Sequence, residues 1–258
     1  MIYKRAVAKL RAQDWMAIAI ELAIVFIGVF AGTQVSNWNE ARIEKQQTQH
    51  LLEQLVPELR NQVAFFENVK DYYRTTGHYA VAALAGWRGD PRIKDDQFVV
   101  AAYQASQIYS IGMNAQKLSL TFSGDRLNNI GDAGLRRKLA LVLTADYGPV
   151  SNTAVATAYR TNVRRIIPND IQEQIRQTCG DRPIYNRDVE NLFMLQDSCL
   201  PALDAREVTA TAAALRAHPE LAGELNLHLS TIATYLQDAG DLEQPMRTLE
   251  SGLEKLSS

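Results

Sequence analysis

The sequence is poor in the residues that metal sites need. Its 258 residues contain two cysteines and four histidines: His50, His78, His218 and His228. No histidine stands at the spacing of an HExxH or comparable ligand motif, so we expect no metal ion and no cofactor. GxSxG, Walker, GxGxxG and CxxC patterns are missing where a strand, a turn and a helix would give them context. The chain is therefore not expected to be an enzyme.

Strand signals and positive charge are sparse as well. The short run Phe98-Val99-Val100 lies inside a helical periodicity. The formal net charge is -2, and nothing resembles the basic surface of a nucleic-acid-binding protein. With 47% hydrophobic and 22% charged residues, the chain has enough apolar surface to bury a full core. We predict an all-α fold and no nucleic-acid partner.

Charge is rarest in residues 15–35, where the only ionisable side chain is Glu21. As a helix, a run of this length would span about 30 Å, which is the thickness of the hydrocarbon core of a bilayer. Trp15 and Trp38 flank the run, as aromatic anchors do at the two membrane interfaces. The pattern predicts a single transmembrane helix in contact with membrane lipid.

The flanking charges predict the orientation of this span. Residues 1–14 carry four basic side chains and one acidic one, a charge of +3, so the remaining residues carry -5. An excess of Lys and Arg marks the cytoplasmic side of a span. For a Gram-negative cell we predict an inner-membrane protein with a cytoplasmic N-terminus (1–14), a transmembrane helix (15–36), a helical stalk (37–75) and a periplasmic helical domain (76–258).

Two other interpretations of the apolar run stay open. Val29-Phe30-Ala31 resembles the cleavage site of a secretory signal peptide, although the run is longer than the usual ~7 to 15 apolar residues and the helical pattern continues to Glu40. The run could also be a fully buried helix of a soluble protein, but helices that are apolar on all sides are rare in such proteins.

One face of the predicted span differs from the rest. At about 100° per residue, Glu21, Val25, Gly28, Gly32 and Asn39 share a narrow stripe. Gly28 and Gly32 form a GxxxG pattern, which lets two helix backbones approach closely. A carboxylate inside a bilayer faces protein or water rather than lipid. The stripe predicts a helix–helix interface; in the alternative interpretation, Glu21 extends toward the headgroups near Trp15.

Beyond the span, capping and turn signals predict a helical bundle. We expect Pro57 to kink or break the stalk helix. Asp132 and Asp204 are expected as N-caps, and Gly240 is expected to separate a terminal antiparallel helix pair. The region 181–203 is the least regular and is read as a long connection around one short helix. The predicted helices cover 77–87, 95–109, 133–147, 150–167, a shorter segment ending at Gly180, a segment after Asp204, and the terminal pair at 221–236 and 242–256.

The two cysteines admit two interpretations. In an oxidising compartment, Cys179 and Cys199 would close a loop of about 20 residues and stabilise the fold by ~3 kcal/mol. Otherwise they are two buried thiols. Because the predicted domain lies outside the cytoplasm, we expect the disulfide.

Aromatic residues cluster where the predicted stalk meets the domain. Tyr72, Tyr79 and Trp87 lie near His78 and Arg88 in the sequence and could line a pocket for a small molecule. Core packing explains the same cluster.

Two segments resemble an uncharacterised bacterial family of single-pass membrane proteins, a domain of unknown function. The first is the span with Gly28 and Gln34 that ends in Asn37-Trp38-Asn39-Glu40. The second runs from Leu118 to Leu139, with Thr121-Phe122-Ser123-Gly124-Asp125-Arg126-Leu127, then Ile130, and then Leu135-Arg136. The resemblance covers roughly residues 12 to 150. It implies an anchored, mostly helical protein and assigns no catalytic residue.

These observations favour a non-enzymatic, membrane-anchored helical protein that acts in assembly. It would be a homo-oligomer or an accessory subunit of a larger membrane complex. The alternative is a periplasmic helical bundle that senses a small molecule and acts through a partner.

Overall fold

A computed structural model describes residues 15–109, 130, 132–150, 155–185 and 192–257. The chain divides into two compact units, Met1–Leu51 and Leu52–Ser258. Of the described residues, 79% are helical and 3% lie in strands, so the predominantly helical prediction is confirmed. The domain boundaries proposed at residues 36/37 and 75/76 stay predictions.

Helix α1 (Trp15–Trp87) is the longest element. Pro57 lies inside it without ending it. The helix ends before a turn in which Gly89 adopts a φ of 73°, a left-handed conformation that glycine enters without steric cost. The turn was predicted, but a separate helix at 77–87 was not correct. Gly77 inside a helix costs about 1 kcal/mol, and burial of Thr76 and Ala80 beside it offsets that cost.

Within the described ranges, four further α-helices follow before the disulfide region. They are α2 (Asp95–Gln104), α3 (Ala133–Leu143), α4 (Ala158–Ile166) and α5 (Asn169–Cys179). The predicted N-cap of α3 is confirmed, because the Asp132 side chain accepts a hydrogen bond from the Leu135 backbone at 2.6 Å. Phe98, Val99 and Val100 lie inside α2, are buried and are helical, as the periodicity predicted.

The region 181–203 contains strands where one short helix was expected. Strands β1 (Arg182–Ile184) and β2 (Leu192–Met194) pair antiparallel, with Pro183 opposite Phe193. The helical prediction is wrong for the described part of this region. Contacts distant in sequence hold β2, because the Phe193 backbone N–H donates to Asn68 Oδ1 at 3.0 Å and lies 3.1 Å from the Tyr109 hydroxyl.

The C-terminal region also differs from the prediction. After α6 (Ala205–Arg216), which Asp204 caps as expected through the Arg206 and Glu207 backbones, the chain forms one helix, α7 (Glu220–Ser257). The predicted antiparallel pair is therefore wrong. Gly240 costs a helix interior about 1 kcal/mol and Pro245 about 3 kcal/mol. Burial of Ala239 and Met246 on one face of α7 offsets these costs.

The core of the second unit forms where α7 runs antiparallel to α1. Ion pairs join successive positions of the two helices: Arg60 with Glu250 and Glu254, Glu67 with Arg247, and Lys70 with Glu243. Glu243 is the buried member. Burial by itself would raise its pKa, but hydrogen bonds from Lys70 and Arg247 outweigh burial and lower it. Exposed ion pairs contribute little to stability, so buried apolar side chains hold the helices together.

The predicted disulfide is confirmed. Cys179 and Cys199 are bonded, with Cα atoms 5.6 Å apart and a sequence separation of 20. The bond joins the last residue of α5 to the segment that follows β2. Cys179 is fully buried. The disulfide thereby fixes an irregular segment against the helices of the second unit.

Candidate functional site

The first unit exposes an unusual amount of apolar surface. Helix α1 contains one stretch that is long and apolar enough to cross a membrane, and none of that stretch is buried. Phe26, for example, is 74% exposed and Ile24 is 64% exposed. A soluble monomer does not ordinarily expose apolar surface of this extent. The lack of burial counts against the interpretation of this stretch as a core helix.

Polar groups on this helix fall into two kinds. Thr33 donates to the Phe30 carbonyl at 2.9 Å, and Ser36 donates to Glu40 Oε1 at 3.3 Å, so both are satisfied within the helix. Glu21 and Asn39, by contrast, have no hydrogen-bond partner among residues 15–109 or elsewhere in the described chain. Their polar groups therefore need water, headgroups or another protein.

Between Glu21 and Asn39 the stripe contains Gly28 and Gly32, which have no side chains. A Cβ atom built on Gly28 or on Gly32 meets nothing within 4 Å. Val25, also in the stripe, is 64% exposed. Trp15 and Trp38, the predicted membrane-interface anchors, are 66% and 69% exposed. Packing among the described residues thus explains neither the glycines nor the tryptophans.

The second unit contains a cavity of about 470 Å³ beside the disulfide. Three segments form its walls: α1, the region from the start of α2, and the segment after β2. The residues that line it are His78, Tyr79, Ala82, Ile93, Gln97, Val100, Ala101, Asp197, Ser198, Cys199 and Leu200. A volume of this size lies within the range of small-molecule sites in proteins, roughly 300–1,000 Å³.

Hydrogen bonds and the disulfide fix the third wall of this cavity. The Tyr79 hydroxyl donates to the Gln196 carbonyl at 2.7 Å, and the Thr75 hydroxyl donates to Asp197 Oδ1. The Cys199 disulfide attaches the same segment to α5. Burial raises the pKa of Tyr79, which keeps its hydroxyl protonated as a donor. Contacts within the chain therefore hold this wall of the cavity in place.

The aromatic residues that were predicted to form a pocket do not share one site. Tyr79 lines the cavity. Tyr72 is buried elsewhere and donates to Asp181 Oδ1 at 2.8 Å. The Trp87 indole donates to the Leu215 carbonyl at 2.9 Å, and its ring packs edge-on against Phe98. Tyr72 and Trp87 thus serve core packing, the other interpretation of this cluster.

Two arginines on α4 form a separate polar cluster. The Arg164 guanidinium lies 4.5 Å from the ring centroid of Tyr103 and donates to Ser106 Oγ and Gln107 Oε1. Arg160 donates to the Ser106 carbonyl at 2.5 Å. Burial lowers the pKa of Arg164 to about 10, and the charge of Arg160 adds to this effect. These contacts lie just beyond the C-terminus of α2, where the helix dipole favours cations, so we assign the cluster a structural role.

His228 on α7 is a buried titratable group of this region. It is fully buried, and its Nδ1 lies 2.8 Å from the Thr157 hydroxyl. Burial, together with the charge of Arg160, lowers its pKa to about 4, although a hydrogen bond with the Ala105 backbone opposes the change. The imidazole is therefore neutral at pH 7. It also stacks against Tyr159, with ring centroids 5.7 Å apart.

We compared the chain with protein-family models, curated proteins and solved structures. None matches. The resemblance to the single-pass family therefore stays a prediction. Most of its second motif, 118–129, lies outside the described residues, whereas Ile130 and Leu135 are described and buried. Within the described ranges, no group of three or more His, Cys, Asp or Glu side chains is placed to hold a metal ion.

Local sequence patterns indicated part of the cavity. Because Tyr79 and His78 are adjacent, the aromatic cluster indicated one wall. The cysteine pairing placed 197–200 near the end of α5, but nothing local indicated that Asp197 and Gln97 would face a common space. Their proximity depends on α1 and α2 packing side by side, which no spacing within either segment encodes.

Proposed function

We propose that the chain is a non-enzymatic, single-pass membrane protein that acts in assembly. It would form a homo-oligomer or serve as an accessory subunit of a larger membrane complex. Its N-terminus would lie in the cytoplasm and its second unit in the periplasm. The observation that carries this proposal is the exposed stripe of Glu21, Val25, Gly28, Gly32 and Asn39 on an unburied apolar helix.

Three features support the proposal. Lipid would cover the apolar side chains that are exposed on this helix. A second helix would cover the stripe, since small residues allow close approach and a polar group in the bilayer faces protein. The Cys179–Cys199 disulfide is typical of proteins that fold in an oxidising compartment, which agrees with a periplasmic second unit.

Substitution of the glycines tests the assembly. Because a Cβ at Gly28 or Gly32 meets no atom of the described residues within 4 Å, Gly28→Ile and Gly32→Ile should leave the fold of the monomer intact. We expect crosslinking in native membranes to capture a discrete oligomer or heterocomplex in the wild type. Each glycine variant should reduce that product at least fivefold, since an interface that depends on backbone contact loses about 1 kcal/mol or more.

Ala23→Ile is the matched control, because Ala23 lies on the opposite face of the same helix and is exposed. It should crosslink like the wild type. Monomer alone in the wild type, or a product that both glycine variants leave unchanged, would contradict the proposed interface. Glu21→Gln and Glu21→Leu extend the test: loss only in the Leu variant indicates a hydrogen-bonded carboxyl group.

A separate observation supports a second candidate function. The cavity beside the disulfide, with walls fixed by Tyr79 and Asp197, suits a small-molecule sensor that acts through a partner. We expect thermal-shift screening of the full chain in detergent to find stabilising metabolites, and a stabilising compound to change the crosslinking pattern. Absence of stabilisation across a broad set of metabolites and metals would count against sensing.

A further inference from the structure

The residues that line the cavity beside the disulfide restrict the chemical class of ligand that it would bind. We propose that it binds a small organic amine, with the protonated nitrogen at Asp197 and an apolar body among the side chains of α1 and α2. The proposal rests on the second candidate function for the site, but binding is separable from sensing.

The inner surface of the cavity is apolar and small. Ala82 lies one helical turn beyond His78 on α1, and Val100 and Ala101 lie one turn beyond Gln97 on α2. Val100 and Ala101 are buried. Their short side chains leave the space that the cavity occupies. Ile93 and Leu200 add apolar surface. An aromatic or branched aliphatic group of a ligand would remove its surface and theirs from water.

The charge of the cavity is negative. Asp197 is the one acidic side chain of the lining, which contains no Lys or Arg. No ion pair among the described residues involves Asp197. Its Oδ1 accepts the hydroxyl of Thr75, a residue that is 7% exposed, so the carboxylate is held in place. A cation is the complementary ligand, and the lining offers no Lys or Arg to an anion.

Other polar groups of the lining match the remaining donors of an ammonium group. An ammonium has three N–H donors and no acceptor. His78 and Ser198 line the same cavity, and each contains an acceptor. The side-chain oxygen of Gln97, which also lines the cavity, already accepts the Lys94 backbone N–H at 3.0 Å. A carboxylate ligand would lack a cationic partner here. An alcohol would hydrogen-bond to Asp197 without the added strength that charge gives such a bond.

Isothermal titration of the full chain in detergent with three probes of similar size tests the proposal. We expect 2-phenylethylamine to bind about fivefold more tightly than 2-phenylethanol, with 3-phenylpropionate the weakest. Asp197→Asn, which keeps an acceptor for Thr75, should reduce the affinity for the amine to that for the alcohol. Asp241→Asn is the matched control, because Asp241 is exposed on α7 and does not line the cavity.

A variant whose cavity is filled by a larger side chain distinguishes binding in the cavity from non-specific binding elsewhere. Ala82→Phe places a ring at a half-exposed position of the lining, and binding of both the amine and the alcohol should be lost while near-UV circular dichroism is retained. Equal affinity for all three probes, no binding of the amine, or amine binding that survives Asp197→Asn would overturn the proposal. Binding that leaves the crosslinking pattern unchanged would contradict the sensing function alone.

Discussion

Removing the disulfide is expected to lower the free energy of unfolding by about 3 kcal/mol. The bond closes a loop with a sequence separation of 20, and the loss of loop-closure entropy in the unfolded chain gives this magnitude. Cys179→Ala together with Cys199→Ala removes the bond without leaving a reactive thiol. For a unit of this size the midpoint of thermal unfolding should fall by roughly 6–12 °C.

The measurement uses the full chain in mild detergent, with urea unfolding followed by the fluorescence of Trp87 in the second unit. A reductant should lower the stability of the wild type toward that of the double variant and leave the variant unchanged. Identical stability of the two proteins would show that the loop constraint contributes nothing. Alkylation of Cys199 in the unreduced wild type would argue against the bond itself.

The second large effect is a loss of stability in acid that depends on His228. Burial lowers the pKa of this imidazole to about 4 in the folded state, against about 6.5 in an unfolded chain. Between these values the unfolded state binds the proton and the folded state does not, so acid favours unfolding. The contribution of His228 is complete above pH 6.5 and declines as the pH falls, by about 3 kcal/mol at pH 4.

Other groups titrate in the same pH range. The prediction therefore concerns the difference in acid sensitivity between the wild type and a variant without His228. Burial raises the pKa of Asp181, whereas hydrogen bonds outweigh burial and lower that of Glu243. His228→Gln replaces the imidazole with an amide that does not titrate and is able to hydrogen-bond to Thr157. From pH 7 to pH 4, the wild type should lose about 3 kcal/mol more unfolding free energy than this variant.

Urea unfolding at a series of pH values supplies both curves. If the His228→Gln variant loses as much stability in acid as the wild type, a buried neutral imidazole does not account for the acid sensitivity. The second unit would then depend on its carboxylates alone.

Much of the fold follows from local patterns. The apolar run at 15–35 predicted a helix, and α1 covers it. Asp132 and Asp204 predicted helix starts because a side-chain oxygen beside free backbone N–H groups acts within a single turn. The end of α1 at Trp87 followed from the glycine turn. The disulfide was inferred from the predicted oxidising compartment and from the presence of two cysteines, rather than from the geometry of the fold.

Other features depend on contacts that span the chain. The strands at 182–184 and 192–194 form where distant residues such as Asn68 bind their backbone. Gly240 and Pro245 are ordinary helix-ending signals, yet α7 passes through both because its buried face packs in the core. Local propensities are worth about 1–3 kcal/mol, and burial of several large apolar side chains exceeds that.

The candidate sites divide in the same way. The sequence by itself determined the stripe of Glu21, Gly28, Gly32 and Asn39, since the period of one helix fixes which residues share a face. Only the tertiary structure decided that Asp197 and Gln97 line one cavity and that His228 is buried. Those outcomes depend on how separate helices pack against one another. The volumes of many contacting side chains determine that packing, and the spacing of residues within one segment does not encode it.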